Sequence, residues 1–186
     1  MEIFMISGKS ASGKDTLAKI MRKKLEDAGC NCITLHYADL VKFYAKQYYN
    51  WNEIKDEAGR TLLQQLGTNK VRNKYPDYWA EAIGKFLAAT PNDFDCAFIP
   101  DARFVNEIEV VKYYNPNAYS IRVERFNEDG TPYINPLFTP EQLQHPSETS
   151  LDEYNEFDYI VENDGTNLSI LEDAADVILA DTKLLV

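Results

Sequence analysis

Short uninterrupted apolar runs alternate along the chain with segments whose apolar residues recur every three or four positions. Ile3-Phe4-Met5-Ile6 is a β-rich run, followed by glycines and then by Leu17, Ile20, Met21, Leu25 and Ala28 at helical spacing until Gly29 supplies a stop. Cys32-Ile33-Thr34-Leu35-His36-Tyr37 reads as a second strand. From Asp39 to about Phe86 the pattern is helical, with breaks expected near Trp51-Asn52, Gly67-Thr68 and Tyr75-Pro76. Cys96-Ala97-Phe98-Ile99 predicts a third strand, and a helix with Phe104, Ile108 and Val111 on one face follows it. Tyr119-Ser120-Ile121-Arg122-Val123 and Tyr159-Ile160-Val161 predict two more strands, and a last helix carries Leu168, Leu171, Ala175 and Ile178 on one stripe. Continuous apolar strands separated by helices imply a largely parallel sheet covered on both faces.

One segment breaks the rhythm. Between Phe126 and Phe157 lie four prolines, an Asp-Gly turn and scattered acids, too long for an ordinary connection, so it is either a functional lid or disordered.

The 186-residue length fits one domain, and no repeat or second core is needed. Composition adds one constraint: 19 Lys and Arg against 30 Asp and Glu leave a net charge of -11. A surface of that sign repels a long polyanion, so partnership with a nucleic-acid polymer is not expected, whereas a small anion in a locally basic cleft is compatible. No apolar run reaches the roughly 20 residues that span a bilayer. Met1-Glu2-Ile3-Phe4-Met5-Ile6 lacks the basic lead of a signal peptide, so no membrane partner and a cytoplasmic location are expected. Cys30, Cys32 and Cys96 match neither a disulfide framework nor a zinc pattern and read as reduced structural thiols.

Gly8-Lys9-Ser10-Ala11-Ser12-Gly13-Lys14-Asp15-Thr16 fits G-x-x-x-x-G-K directly after a strand and at the opening of an amphipathic helix. Glycines let backbone wrap closely around a phosphate, the helix presents its positive end, and Lys14 adds a mobile cation. Gly8, Ala11, Ser12, Gly13, Lys14, Asp15 and Thr16 are therefore candidate ATP-binding residues. The last slot holds Asp15 where Ser or Thr is usual. A carboxylate there is also a hard oxygen ligand for Mg²⁺, direct or through water; the alternative is an acid that merely favours the first turn of the helix.

The G-K-D-T ending resembles the phage-type deoxynucleoside monophosphate kinases, and related G-K-D loops occur in animal-type phosphomevalonate kinases. Further segments resemble the former in order along nearly the whole chain: Ala38-Asp39-Leu40-Val41-Lys42, Leu66-Gly67-Thr68 with Arg72 and Trp79, Asp101-Ala102-Arg103-Phe104 with Asn106-Glu107, His145-Pro146-Ser147-Glu148, and Asn163-Asp164-Gly165-Thr166. The resemblance implies a three-layer α/β fold of the P-loop NTPase type over residues 1–186. It would have a five-stranded, mainly parallel sheet flanked by helices, a helical acceptor-binding region near 39–90 and a lid over 126–158. It also implies ATP and Mg²⁺ as cofactors, a nucleoside monophosphate as acceptor, and a homodimer.

Asp101 ends the third strand beside the phosphate loop, where an acid orients a magnesium water or the attacking oxygen, or else caps a helix. Arg103 faces the same crevice, and its planar fork suits a phosphate. By the resemblance Arg103 binds the acceptor phosphate, Asn106 and Glu107 read the nucleoside, and Asp39, Lys42 and Trp79 belong to the acceptor site. Arg60, Gln64, Thr68 and Arg72, spaced four apart, would line one wall if Gly67 does not break the helix; Arg72 would be a second phosphate ligand. Solvated surface is the ordinary alternative for such residues. Most of the aromatics in this region read as core or partner contacts, with one or two available to stack on a base.

Arg125, at the junction of the fourth strand and the lid, is the stronger candidate to neutralise the transferring group, while Arg122 could simply point to solvent. Lys14, Asp101, Arg103 and Arg125 form the expected catalytic set, with Asp15 and Asp101 toward the metal. Asn163 and Gly165 are expected either to contact adenine, by resemblance to nucleotide and dephospho-coenzyme A kinases, or to form a plain turn before the last helix. The leading expectation is phosphoryl transfer from ATP to a nucleoside monophosphate, most naturally a deoxynucleotide. A kinase of another phosphorylated metabolite, such as phosphomevalonate or dephospho-coenzyme A, is the same-class rival. A nucleotide-binding switch is the other class, although no N-K-x-D guanine signature is present.

Overall fold

The computed structural model describes residues 1–54, 56–182 and 184. Five strands form one sheet in the order β2-β3-β1-β4-β5, with β1 (Glu2–Ser7) at its centre, β3 (Cys96–Ala102) and β4 (Ala118–Arg125) on either side, and β2 (Cys32–Thr34) and β5 (Tyr159–Asn163) at the edges. All four pairings are parallel, so every carboxyl end opens on the same side.

Side-chain alternation along β1 divides the core into two layers. Phe4 and Ile6 point to the face covered by α1 (Lys14–Asp27) and α8 (Leu168–Ala180), where they are buried with Leu17, Met21, Leu171 and Ile178. Ile3 and Met5 point to the opposite face, against α2 (Tyr37–Tyr48), α4 (Tyr78–Ala89) and α5 (Val105–Tyr114), and are buried with Val41, Ile83, Leu87 and Ile108. Burying both faces is what permits strands with no polar alternation. Each deeply buried Leu, Ile or Phe contributes about 2 kcal/mol of transfer free energy.

The helical region is interrupted at Trp51-Asn52 and at Tyr75-Pro76 as expected, but not at Gly67-Thr68. α3 (Glu57–Gln64) starts with Asp56 as N-cap, its carboxylate accepting from Gly59 N at 2.8 Å. It continues without interruption into a π-helical stretch, Gln65–Arg72. Gly67 therefore does not stop the helix, because Leu62, Leu63, Leu66 and Val71 hold both halves against the core, and the Gly67 carbonyl accepts from the buried Trp79 indole at 3.0 Å. β2 is shorter than its apolar run, since Tyr37 already belongs to α2.

β1 and β3 slip by one residue: Met5 pairs with Ile99, but Ser7 pairs with Ala102. Pro100 cannot donate to the ladder, so the strand accommodates it at this irregularity, which re-aims the chain immediately before Arg103.

The long irregular segment is ordered, and carries α6 (Pro140–Leu143) and α7 (Pro146–Thr149). A capping box between Thr139 and Gln142 starts the first, and His145 caps the second. Among the described residues no helix is long and apolar enough to cross a membrane.

Candidate functional site

Five carboxyl ends deliver the site. β1 leads into the phosphate loop, β2 leads to Asp39, β3 brings Asp101 and Arg103, β4 brings Arg122 and Arg125, and β5 ends at Asn163. Such a crevice beyond the carboxyl ends of a parallel sheet is where α/β proteins hold ligands.

The loop has the conformation its composition demands. Gly13 sits at φ 105° and Ala11 at φ 61°, a region that costs a non-glycine residue about 1 kcal/mol or more and persists where the surroundings enforce it. Arg125 supplies part of that enforcement, donating from Nη1 to the Ala11 carbonyl at 3.1 Å. Asn163 supplies the rest, its side-chain amide donating to the Ser12 carbonyl at 2.8 Å. A Cβ on Gly13 would lie 2.7 Å from that same Asn163 nitrogen, so the close approach requires glycine.

The loop also has the unsatisfied groups that a phosphate would use. No side chain among the described residues caps the start of α1, leaving its first N–H groups and the helix dipole available. Ser12 Oγ and Arg125 Nε are buried without partners among the described residues. Lys14, nearly buried itself, reaches Asp15 Oδ2 at 3.2 Å, and Asp15 stays largely exposed. The residues thus fit a polyphosphate, and Asp15 fits a magnesium ion that takes its remaining ligands from phosphate and water. No cluster of three or more His, Cys, Asp or Glu among the described residues is arranged to hold a metal by itself.

Beside the loop lies an open groove of about 400 Å³, lined by Gly13, Thr16, Arg125, Asn163, Gly165 and Leu171 among others. Gly165 closes an Asx turn, its N–H donating to Asn163 Oδ1 at 2.9 Å. The Arg125 guanidinium lies over the Tyr133 ring, 4.0 Å from its centre, and against Gly165.

On the other side of the crevice, the expected acceptor residues divide into two groups. Arg72, Arg103 and Glu107 come together: Glu107 is buried, pairs with Arg72 Nη2 at 2.5 Å, and accepts from Arg103 N at 2.7 Å and Phe104 N at 3.2 Å. Burial pushes the Glu107 carboxyl up to about 7, against the pull of Arg72 and the backbone donors. Arg72 also stacks on Phe104 at 4.0 Å. Glu107 therefore fixes the arginines, and Asn106 is engaged with the Pro76 carbonyl and Asp77, each at 2.8 Å. Trp79 is almost wholly buried, with its indole nitrogen committed to Gly67.

Asp101 faces α2. Its Oδ1 accepts from Tyr37 N at 3.1 Å and its Oδ2 from Ala38 N at 3.4 Å, so it caps α2 rather than the helix that follows it in sequence, and a metal would have to compete with these donors. Burial raises its carboxyl, against His36 and the two N–H groups. Asp39 is burdened by partial burial, yet Lys42 at 2.8 Å and His36 at 3.1 Å hold it below the usual carboxylate range. Thr68 is half-buried, Arg60 and Gln64 are exposed, and Gln64 lies 3.4 Å from His145.

Two acids of the irregular segment, to which sequence reasoning gave no role, close the arrangement. Glu148 Oε2 accepts from Ser10 N at 3.2 Å, while Oε1 pairs with Arg103. Asp152 pairs with Lys9 at 2.9 Å and with Arg122 at 3.3 Å, so Arg122 is buried and paired instead of solvent-facing. Their traces in the sequence are the four-residue spacing and, for Glu148, its place in the resembling segment His145-Pro146-Ser147-Glu148; neither says anything of a partner nearly 140 positions away.

No family model matches the chain. Its backbone is similar to the APS kinase CysC of Mycobacterium tuberculosis in complex with AMPPNP and APS, with a TM-score of 0.51 at 10% identity over 96% of this chain and 95% of that one. It is also similar to a sugar kinase from a Janibacter species, with a TM-score of 0.56 at 13% identity over 100% of this chain and 99% of that one. At such identities the likeness establishes the architecture alone, a five-stranded parallel sheet flanked by helices.

Proposed function

We propose that the protein transfers the γ-phosphoryl group of ATP to the phosphate of a nucleoside monophosphate, giving ADP and the nucleoside diphosphate. The observation that carries the reading is the convergence on Glu148: one carboxylate is held at once by a phosphate-loop amide and by Arg103. A donor cradle and an acceptor-side arginine thus meet at a single anion position, the juxtaposition that phosphoryl transfer requires.

In this reading the loop amides, Ser12 Oγ and Lys14 hold the donor's phosphates, and the groove beside Asn163 and Gly165 holds its adenine. Arg103, with Arg72 behind Glu107, binds the acceptor. Magnesium, when bound beside Asp15, neutralises charge on the donor. Arg125, half-buried over the Tyr133 ring and already aimed at the loop, is placed to stabilise the charge that spreads over the moving group. No nucleophilic side chain is needed, because the acceptor phosphate supplies the attacking oxygen.

The reading is tested by measuring ADP release across ribo- and deoxynucleoside monophosphates, with phosphomevalonate and dephospho-coenzyme A alongside. Stimulation by one or more nucleoside monophosphates is expected. Stimulation only by another phosphorylated metabolite would reassign the acceptor, and none by any acceptor would favour a nucleotide-binding switch.

A further inference from the structure

The residues of α7 and the turn after it stand in the crevice as anions. Glu148 is almost buried, with 8% of its side chain exposed, and its oxygens take the Ser10 amide and the Arg103 guanidinium. Arg103 donates in addition to the Ser147 carbonyl at 3.2 Å. One turn further on, Asp152 takes Lys9 and Arg122. A chain of net charge -11 has gathered these basic groups into one cleft and then covered them with carboxylates of its own.

We propose that Glu148 is a specificity-determining residue of the acceptor subsite, holding in the free protein the position that the acceptor's phosphate takes. The inference deepens the proposed function and rests on its reading of Arg103. Backbone N–H and a guanidinium fork are preferred phosphate ligands; the single Ser10 N–H cannot serve Glu148 and a phosphate together, and a phosphate gripped by the fork of Arg103 would need the Nη1 edge that Glu148 holds. An incoming carboxylate would merely exchange one monoanion for another, and a hydroxyl would exchange a charge-assisted bond for a neutral one. A phosphomonoester carries about -1.5 to -2 charges at neutral pH and three strong acceptor oxygens, so it gains on the exchange and expels Glu148 by like-charge repulsion. Selectivity then comes from what the free site already contains, and ligands of lower charge are rejected. The segment that would move is held by two four-residue helices and by the buried Leu151, not by a long element.

The experiment measures binding of inorganic phosphate and of acetate by calorimetry to the full chain and to Glu148→Gln, which keeps the shape and removes the charge. Phosphate affinity is expected to rise about tenfold, the scale of one charge-assisted competitor removed, and acetate to gain measurable binding. Glu148→Asp, too short to span Ser10 and Arg103, should shift both in the same direction. The gain should vanish in Arg103→Ala/Glu148→Gln, which separates this subsite from phosphate held by the loop alone. Unchanged or weaker phosphate binding in Glu148→Gln with an unaltered melting transition would overturn the proposal, Glu148 then being a strut for Arg103. Tighter phosphate binding through Arg103 without ADP release on any nucleoside monophosphate would sustain this inference and refute the functional reading. Acceptor-stimulated ADP release with a raised acceptor KM in Glu148→Gln would do the reverse.

Discussion

Asn163, the last residue of β5, donates its side-chain amide to the carbonyl of Ser12 across 2.8 Å and 151 positions of sequence. An edge strand thereby fixes the curvature of a loop that grows from the central strand. Asn163→Ala should lower stability by about 1 kcal/mol, the typical net worth of one such bond, and should weaken AMPPNP binding more than the stability loss alone explains. Thermal denaturation and calorimetry on the same variant separate the two effects. Unaltered nucleotide affinity would show that the loop keeps its shape unaided.

Gly165 occupies φ 72°, and a Cβ added there would stand 2.3 Å from Arg125 Nε. Gly165→Ala should therefore displace the guanidinium from the loop as well as strain the turn by about 1–2 kcal/mol. We expect the turnover number to fall about tenfold or more, and Arg125→Ala to produce a comparable loss. Because both changes act through one side chain, the double variant should be scarcely worse than either single one. Additive losses would place Arg125 and Gly165 in separate roles.

Lys14→Ala should remove ADP formation with every acceptor. Arg103→Ala should instead raise the acceptor KM or lower kcat while leaving AMPPNP affinity close to that of the unmodified protein. If Arg103→Ala lost nucleotide binding instead, Arg103 would belong to the donor side.

Glu107 makes stability depend on pH. Its carboxyl is raised from an ordinary 4.5 to about 7, chiefly by burial, so the folded state binds more protons than the unfolded chain between those values. Stability from this group is full below about pH 4.5 and is lost as pH rises through 7. Melting temperature should fall more steeply between pH 5 and 8 in the unmodified protein than in Glu107→Gln. Equal slopes would show that pairing with Arg72 offsets the burial of the carboxylate.

The sheet was legible because each strand is a short apolar run buried on both faces, and the phosphate loop because glycine spacing, strand and helix occur together in sequence. The acceptor side was legible only in part. The four-residue repeat from Arg60 to Arg72 does continue through Gly67, but a π turn between them changes which side chains share a wall, so Thr68 and Arg72 are half-buried where Arg60 and Gln64 are exposed. Asp101 kept its expected place at a strand end while its side chain turned to α2, a choice set by the N–H groups of a helix 63 residues earlier. Trp79 reads as an acceptor residue by resemblance and lies in the core, because its one polar atom finds a carbonyl there. Glu148 stood in a segment noted only for its resemblance, without a role, and Asp152 carried no local signal, since ion pairs to distant loops leave no periodicity.

The unbroken run from α3 into the π stretch at Gln65–Arg72 gives the acceptor side a strict residue count ahead of the wide turn. A π turn holds about one residue more than an α turn, so removing one residue there would let the stretch tighten with its ends nearly in register, whereas a residue removed from α3 would turn everything after it by about 100° and swing Arg72 away from Glu107 and Phe104. The arm that carries Arg72 should thus tolerate changes to its exposed side chains but not a change in the length of α3, so, the wide turn apart, insertions or deletions are expected to be tolerated only in the connections before Asp56 and after Arg72.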